Sequence, residues 1–552
     1  MATPTLQKQL GAFYTPSRVA EVLVGWAVRT PKDRVLDPAC GDGVFLEAVA
    51  ARLRLLRGQP NTQVRGVEVD EAVYNQAILP LLRRLSIPKS NVALTDFFEL
   101  ECRPSDIGDA VVGNPPFIRY QSFRGRTREK ALLVARKLGV DLSELASSWA
   151  PFLLHACEFL VPNGRLAMVV PAEITHASYA RPVVQFLASH FTEVNLASFE
   201  HRLFPDLSQD ALLLFADGYG GQSKQMRLRR FRDISELEVT LGRRQAFGRK
   251  VPISRLHGSN GRLRDHFLPK EVKALYDFLS AAADICRLGE VAAVGIGYVT
   301  GNNDFFHLAK DDVGRLRIPK ALLERSLLRS GIISGIRVTV EDWQKLRDKG
   351  DRVYLLSLPR VAKQSLPACV RKYIDEGEAR NVHKAFKCSV RDPWYSVPHK
   401  DPADAFLTYM SGETSRVVWN AAGLLSTNSL HEVRFQRASQ VNAWRTALSF
   451  CCSLSQISSE IEGHPMGGGM LKLEPTEAER VLVVRPDKLR VSRTDFDEVD
   501  CLVRTGQFAA AMDIADDLVL RQDLGLTWEQ IQVLRDGLRE IREARRKKIA
   551  PS

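Results

Sequence analysis

The residues best suited to chemistry sit in Val111-Val112-Gly113-Asn114-Pro115-Pro116-Phe117, a short apolar run that ends in Asn-Pro-Pro-aromatic. Each proline restricts φ and carries no N–H, so the turn is stiff and its carbonyls face few internal donors. Asn114 adds an amide oxygen, and Phe117 adds a flat apolar face. Together they suit one task, the holding of a planar –NH2 group. Two acceptors take its two hydrogens while a ring stacks on its π-system. Asn-Pro is also ordinary turn chemistry, so the meaning of this stretch depends on the elements that present it.

Three earlier segments share its grammar, an apolar strand ending in polar residues. Arg34–Leu46 reads as strand, glycine turn and helix. Asp37 closes the strand, and Gly41 and Gly43 let the backbone approach a ligand just ahead of a helix N-terminus. The spacing is not the dinucleotide G-x-G-x-x-G pattern. Val64–Asp70 is a second strand ending in acids. Its Glu68 falls 25 residues after Gly43, close to the ~20 at which a carboxylate binds ribose hydroxyls. Val92–Leu94 leads into Thr95-Asp96-Phe97-Phe98. Four consecutive strands thus deliver polar residues at their carboxyl ends, the edge where open α/β sheets bind ligands. Ahead of them, Phe13-Tyr14-Thr15-Pro16 enters a helical pattern (Val19, Leu23, Val24, Ala27, Val28), with Thr15 as its expected cap. An apolar helix over 144–160 and strands at Gly164–Pro171, Val194–Phe199 and Ala211–Phe215 follow.

Asn114-Pro-Pro-Phe117 resembles the catalytic loop of S-adenosylmethionine-dependent amino-methyltransferases. The order of Phe-Tyr-Thr-Pro, the Asp37-x-x-x-Gly41-x-Gly43 loop and Asn-Pro-Pro-Phe is similar to the γ arrangement of DNA adenine-N6 methyltransferases, the Taq-type modification enzymes. The resemblance implies an α/β fold with a seven-stranded Rossmann-like sheet, mostly parallel with its last strand antiparallel. It also implies a separate mixed α/β DNA target-recognition domain and a cleft for double-stranded DNA. Asn114, Pro115, Pro116 and Phe117 would be catalytic, acting on an adenine flipped from the stack. S-adenosylmethionine would lie against Tyr14, Thr15, Asp37, Ala39, Gly41, Gly43, Glu68, Asp96 and Phe97. An acid is wanted at Asp37 because the methionine moiety is an ammonium and the sulfonium is cationic. Asp96 would accept from the cofactor's adenine amino group, and Phe97 would pack on that ring. Phe204, in Leu203-Phe-Pro-Asp206, would stack the target base opposite Phe117, or else serve as hairpin packing. The chain departs from the commoner motif in having Phe rather than Tyr at 117, which keeps stacking and loses a hydroxyl.

At 552 residues, 45% hydrophobic and 26% charged, the chain is too long for one core. The expected division is a catalytic domain at 1–245, a recognition domain at 246–490 and a C-terminal helical segment at 491–552. The recognition domain rests on glycine-punctuated strands at Leu288–Leu308, Arg391–Ser396, Leu425–His431 and Gly463–Leu473. A net charge of +12 and a pI near 9.3 favour a polyanionic partner. The basic run Ile118–Lys130 reads either as a solvated loop or as phosphate contacts. Arginines and lysines from Lys224 to Lys250 read as a domain border, a solvated face or a DNA cleft. The tail Arg542–Lys548 reads as a frayed helix end or a further phosphate contact. Nine scattered cysteines without Cys-x-x-Cys spacing read as reduced thiols. No metal site is expected, since His307, His431 and His464 lack ligand spacing. No apolar run reaches the ~20 residues of a membrane span, and no secretory signal is visible, so a cytoplasmic protein is expected.

Other readings stay open on sequence alone. A protein-glutamine N5 methyltransferase uses the same motif but leaves the residues after Asp217 unexplained. An RNA adenine methyltransferase shares the basic surface. A non-catalytic DNA-binding subunit would not need the full set of cofactor-contacting residue types. A restriction endonuclease paired with this chain would be a separate protein, since no nuclease cluster is visible.

Overall fold

The computed structural model describes residues 15–546 except 176, 178, 201–202, 205–210, 244–246, 257–267, 399–400, 437–439 and 467–468. Two compact units divide at Leu268/Pro269. The expected boundaries were 245/246 and 490/491, and the reasons for the difference lie in each unit.

In the first unit the elements run α1 (Ser17–Ala27), β1 (Val35–Asp37), α2 (Val44–Leu55), β2 (Val64–Glu68), β3 (Val92–Leu94) and β4 (Gly108–Gly113). Then come α3 (Gly125–Lys137), α4 (Trp149–Glu158), β5 (Leu160–Pro171), α5 (Ala180–His190), β6 (Phe191–Phe199), β7 (Ala211–Tyr219), β8 (Gln225–Phe231), α6 (Ile234–Gly242) and β9 (Arg249–Pro252). One sheet in the order β3-β2-β1-β4-β5-β7-β6-β8-β9 takes all nine strands. The β1–β5 pairings are parallel, and β7 runs antiparallel to both β5 and β6.

The expected seven strands are therefore corrected to nine. The addition comes from the basic stretch read as a border. Met226, Leu228 and Phe231 are buried while the intervening arginines are partly exposed, so β8 is half-buried and pairs parallel with β6. Strand β9 pairs antiparallel with β8 and buries Val251. A high arginine content hid the alternation that a strand with one covered face requires.

Helices cover both faces of the sheet. Val111 lies in one core cluster with α4 and α5, whereas Ala110 and Val112 lie in the other with α1 and α2. A central strand buried on both sides reads as a continuous apolar run, as Ala110–Val112 does. At the start of α2, Gly43 has φ +87°, and a Cβ there would stand 2.2 Å from Leu81 Cδ2. We expect Gly43→Ala to destabilise the first unit by ~1–2 kcal/mol, the cost of a left-handed non-glycine residue. Chemical denaturation checks this by a lower midpoint.

The second unit, Pro269–Arg546, is mixed α/β. A five-stranded sheet orders Ala292–Ile296, His431–Phe435, Ala405–Leu407, Val417–Asn420 and Arg337–Val338. A four-stranded sheet orders His307–Leu308, Tyr354–Leu356, Leu323–Leu327 and Leu425–Ser426. The helices after 490 belong to this unit. Arg504 bonds both carboxylate oxygens of Asp342, each at 2.9 Å. In the last helix, Trp528–Arg546, Arg545 is buried and forks onto Glu460 at 2.7 and 3.0 Å. Arg542 donates to Gln456 Oε1 at 2.8 Å. These two arginines are thus internal ties and not the frayed or phosphate-binding tail that the charge run suggests.

Candidate active site

The four polar strand ends meet at one edge of the sheet in the first unit. Asp37 closes β1 with 1% exposure. Its Oδ1 accepts from Ala39 N at 3.2 Å, and its Oδ2 is buried with no hydrogen-bond partner among the described residues. Burial pushes this carboxyl up to about 8, and the charges of Glu68 and Asp42 add to the shift. A buried carboxyl with an unused oxygen is a poor structural element and a good seat for a cation.

The glycine loop is stitched to the next strands. Cys40 N donates to Val67 O at 2.9 Å, and Gly41 N donates to Glu68 Oε2 at 2.8 Å. Glu68 Oε1 accepts from Val69 N at 3.0 Å and Asp70 N at 2.8 Å, and Thr95 N donates to Glu68 O at 2.8 Å. Glu68 therefore orders the ends of β1, β2 and β3 while staying at the edge. Burial raises its carboxyl above the usual range, and the three amides oppose that shift. Gly113, at the end of β4, approaches Asp37 so closely that a Cβ would lie 3.0 Å from Oδ1. The entry to the Asn114-Pro-Pro-Phe117 loop and the Asp37 carboxyl are thus neighbours.

Asn114 is part-buried, and its Nδ2 donates to Thr15 Oγ1 at 3.2 Å across 99 residues of sequence. The expected cap is corrected here, because α1 has Pro16 at its N-cap and no side-chain cap bond. Thr15 instead orients the Asn114 amide, which aims its oxygen the other way. We expect Thr15→Val to slow turnover roughly fivefold at saturating cofactor, the worth of ~1 kcal/mol for one such bond. Single-turnover rates check this. Phe117 is part-buried and touches both core clusters, as a residue at the rim of the sheet must.

Three other expectations meet a different arrangement. Phe97 is 3% exposed and packs on Phe152, His155 and Phe159 with ring centroids 4.8, 4.5 and 5.2 Å away. Its ring is packed into the core. Phe204 is 4% exposed and lies in the core cluster shared with α1 and α2, so it is not an exposed ring beside Phe117. Asp96 accepts from Phe98 N at 3.0 Å and from the Thr127 hydroxyl at 2.8 Å, so each oxygen already has a protein partner. Tyr14 lies outside the described residues.

Against known families, residues 1–181 match the N-6 DNA methylase model, and residues 260–520 match the C-terminal domain of type II methyltransferase M.Eco57I. Residues 1–181 thus belong to the N-6 DNA methylase family. The chain is 22% identical to the type II methyltransferase M.AccI of Acinetobacter calcoaceticus, over 87% of this chain and 86% of that one. It is also 22% identical to M.XamI of Xanthomonas campestris pv. amaranthicola, over 86% and 85%. In fold it is similar to the type IIL restriction-modification enzyme MmeI, solved in complex with DNA, with a TM-score of 0.52 and 11% identity. That match covers 95% of this chain and 75% of MmeI.

Several side chains at this edge of the sheet carry no signal in the motifs. Ser148 touches the Asn-Pro-Pro-Phe loop, and Glu173, just past β5, accepts from Ser147 Oγ at 3.2 Å and Trp149 Nε1 at 3.3 Å. Val69, beside Glu68, is the apolar side chain at that edge left 56% exposed. Val69 follows three buried positions at the end of β2, a break in alternation that the sequence does not signal. Among the described residues no group of three or more His, Cys, Asp or Glu is arranged to hold a metal ion, and no helix is long and apolar enough to cross a membrane.

Proposed function

We propose that this chain transfers a methyl group from S-adenosylmethionine to N6 of adenine in double-stranded DNA, as the modification enzyme of a restriction-modification system. The observation that carries the reading is the junction of β1 and β4. There the buried Asp37 carboxyl, one oxygen of which has no hydrogen-bond partner among the described residues, lies beside Gly113 at the entry to the Asn114-Pro-Pro-Phe117 loop. The names of M.AccI and M.XamI and the DNA-bound state of MmeI support it. A cognate endonuclease would be a separate chain, and the setting would be the cytoplasm.

The residues present fit the cofactor. Asp37 Oδ2 would take its ammonium, Ala39, Gly41 and Gly43 would leave room for its backbone-like end, and Glu68 would take the ribose hydroxyls. Val69, rather than the buried Phe97, offers the apolar face for its adenine, with Asp96 sharing its carboxylate between Thr127 and the adenine amino group. When bound, S-adenosylmethionine supplies an electrophilic methyl group. Asn114 and Pro115 hold the target amino group by accepting from both N–H bonds, which localises the nitrogen lone pair and aims it. Stacking on Phe117 offsets the few kcal/mol spent in unstacking the base. The exposed Arg119 and Arg124 follow the loop and would meet phosphates beside that base. The second unit would read the DNA sequence.

Expression in a bacterial host free of DNA methylation, followed by modification-sensitive sequencing, tests this. The expected result is N6-methyladenine at every copy of one short sequence. Unmodified host DNA, with the protein folded and cofactor-bound, would overturn it.

A further inference from the structure

Ser148 stands immediately before α4, at the position where a serine ordinarily caps a helix. It makes no cap bond. The residue is 1% exposed, and its hydroxyl points to the Asn-Pro-Pro-Phe loop. Ser148 Oγ donates to Pro116 O and accepts from Ile118 N at 2.9 Å. Its own N–H donates to Ile118 O at 3.0 Å. The Pro116 carbonyl belongs to the peptide plane before Phe117, and the Ile118 N–H belongs to the plane after it. One hydroxyl therefore pins both planes that flank the ring, and a third bond anchors the residue beyond. The segment that carries Ser148 is itself held, because Ser147 and Trp149 both donate to Glu173 at the end of β5.

We propose that Ser148 is a positioning residue for methyl transfer, setting the direction of the Phe117 ring and the choice of acceptors. Resting on the reading above, it adds a residue that the motif does not contain. The bond to Pro116 O occupies the carbonyl next to the one assigned to the target amino group. Asn114 and Pro115 are then the acceptors the loop presents, and a substrate N–H is not drawn one residue along. Fixing φ and ψ of Phe117 removes ring orientations that the chain would otherwise sample before each reaction. The helix gives up a side-chain cap bond for this arrangement, a local cost of the kind expected where a residue serves a site.

The test is a comparison of the full-length protein with Ser148→Ala and Ser148→Thr, using labelled S-adenosylmethionine and mixed-sequence duplex DNA. Ser148→Ala is expected to slow single-turnover transfer at least tenfold, with the cofactor dissociation constant within twofold of the parent. Ser148→Thr, which keeps the hydroxyl, is expected to recover most of the rate. Ser148→Cys serves if the alanine variant does not fold, and a weak donor there should still lose several-fold. Equal rates for the parent and the hydroxyl-free variant would overturn the proposal. So would a rate loss matched by the same loss of cofactor affinity and thermal stability. If the parent labels another acceptor, the same ratio is read on that acceptor, so the failure of one reading is separable from the failure of the other.

Discussion

Asn114→Ala is expected to lower methyl transfer by about a thousandfold, the upper range for removing one preorganised polar group at a reacting centre. The amide has two functions in this geometry. Its nitrogen is committed to Thr15 Oγ1 at 3.2 Å, which fixes the plane of the group. Its oxygen is left, on the proposed reading, as the acceptor for a substrate –NH2. Alanine removes the acceptor and leaves the strand and both prolines in place. Cofactor affinity should stay within about threefold of the parent, because Asp37 and Glu68 sit on β1 and β2. Asn114→Asp separates shape from charge. It keeps an acceptor but loses the donor to Thr15, and it should recover little. Rapid-quench single turnovers alongside equilibrium cofactor titrations check both.

Asp37→Asn is expected to weaken cofactor binding by ~100-fold, since a charge-assisted contact is worth up to ~3 kcal/mol. The accompanying pH dependence has a definite sign. Burial holds the cofactor-free Asp37 carboxyl near 8, so it is mostly protonated at pH 7. A bound ammonium favours the carboxylate, so binding at pH 7 expels close to one proton. Affinity should therefore rise by up to tenfold per pH unit as pH climbs toward 8, and level off above it. The asparagine variant should lose that slope. Calorimetry in buffers of different ionisation enthalpy reads the proton directly. Uptake of a proton, or a parent affinity that is flat from pH 6 to 8, would contradict the assignment of Asp37.

The first four strands were legible because each pairs an apolar run with a polar end, and the structure gathers Asp37, Glu68 and Asn114 at one edge. Residue type alone says less about packing. Phe97 looks like a ring next to a ligand because it follows Asp96, but three aromatic neighbours from α4 and its C-terminal turn claim it for the core. Phe204 likewise follows the rule that a large apolar ring is buried when an apolar cluster is within reach. The two extra strands escaped notice because arginine counts obscured Met226, Leu228 and Phe231 on the covered side. Ser148 was invisible for a different reason. Inside an expected helix over 144–160 a lone serine carries no signal, and only tertiary structure shows its hydroxyl turned to a loop 30 residues away. The helices after 490 join the second unit through contacts of the same long-range kind. Arg545 looks like a solvated tail residue until Glu460 is seen against it.

The most direct measurement is the partition of tritium from labelled S-adenosylmethionine among duplex DNA, total RNA and total protein, with digestion of the labelled product to its components. The account predicts label in N6-methyladenine from DNA alone, and its loss in Asn114→Ala. Label in RNA or in glutamine would leave the Asn114 site standing and contradict the substrate assigned to it. No label in any acceptor, with cofactor bound, would contradict the catalytic role itself.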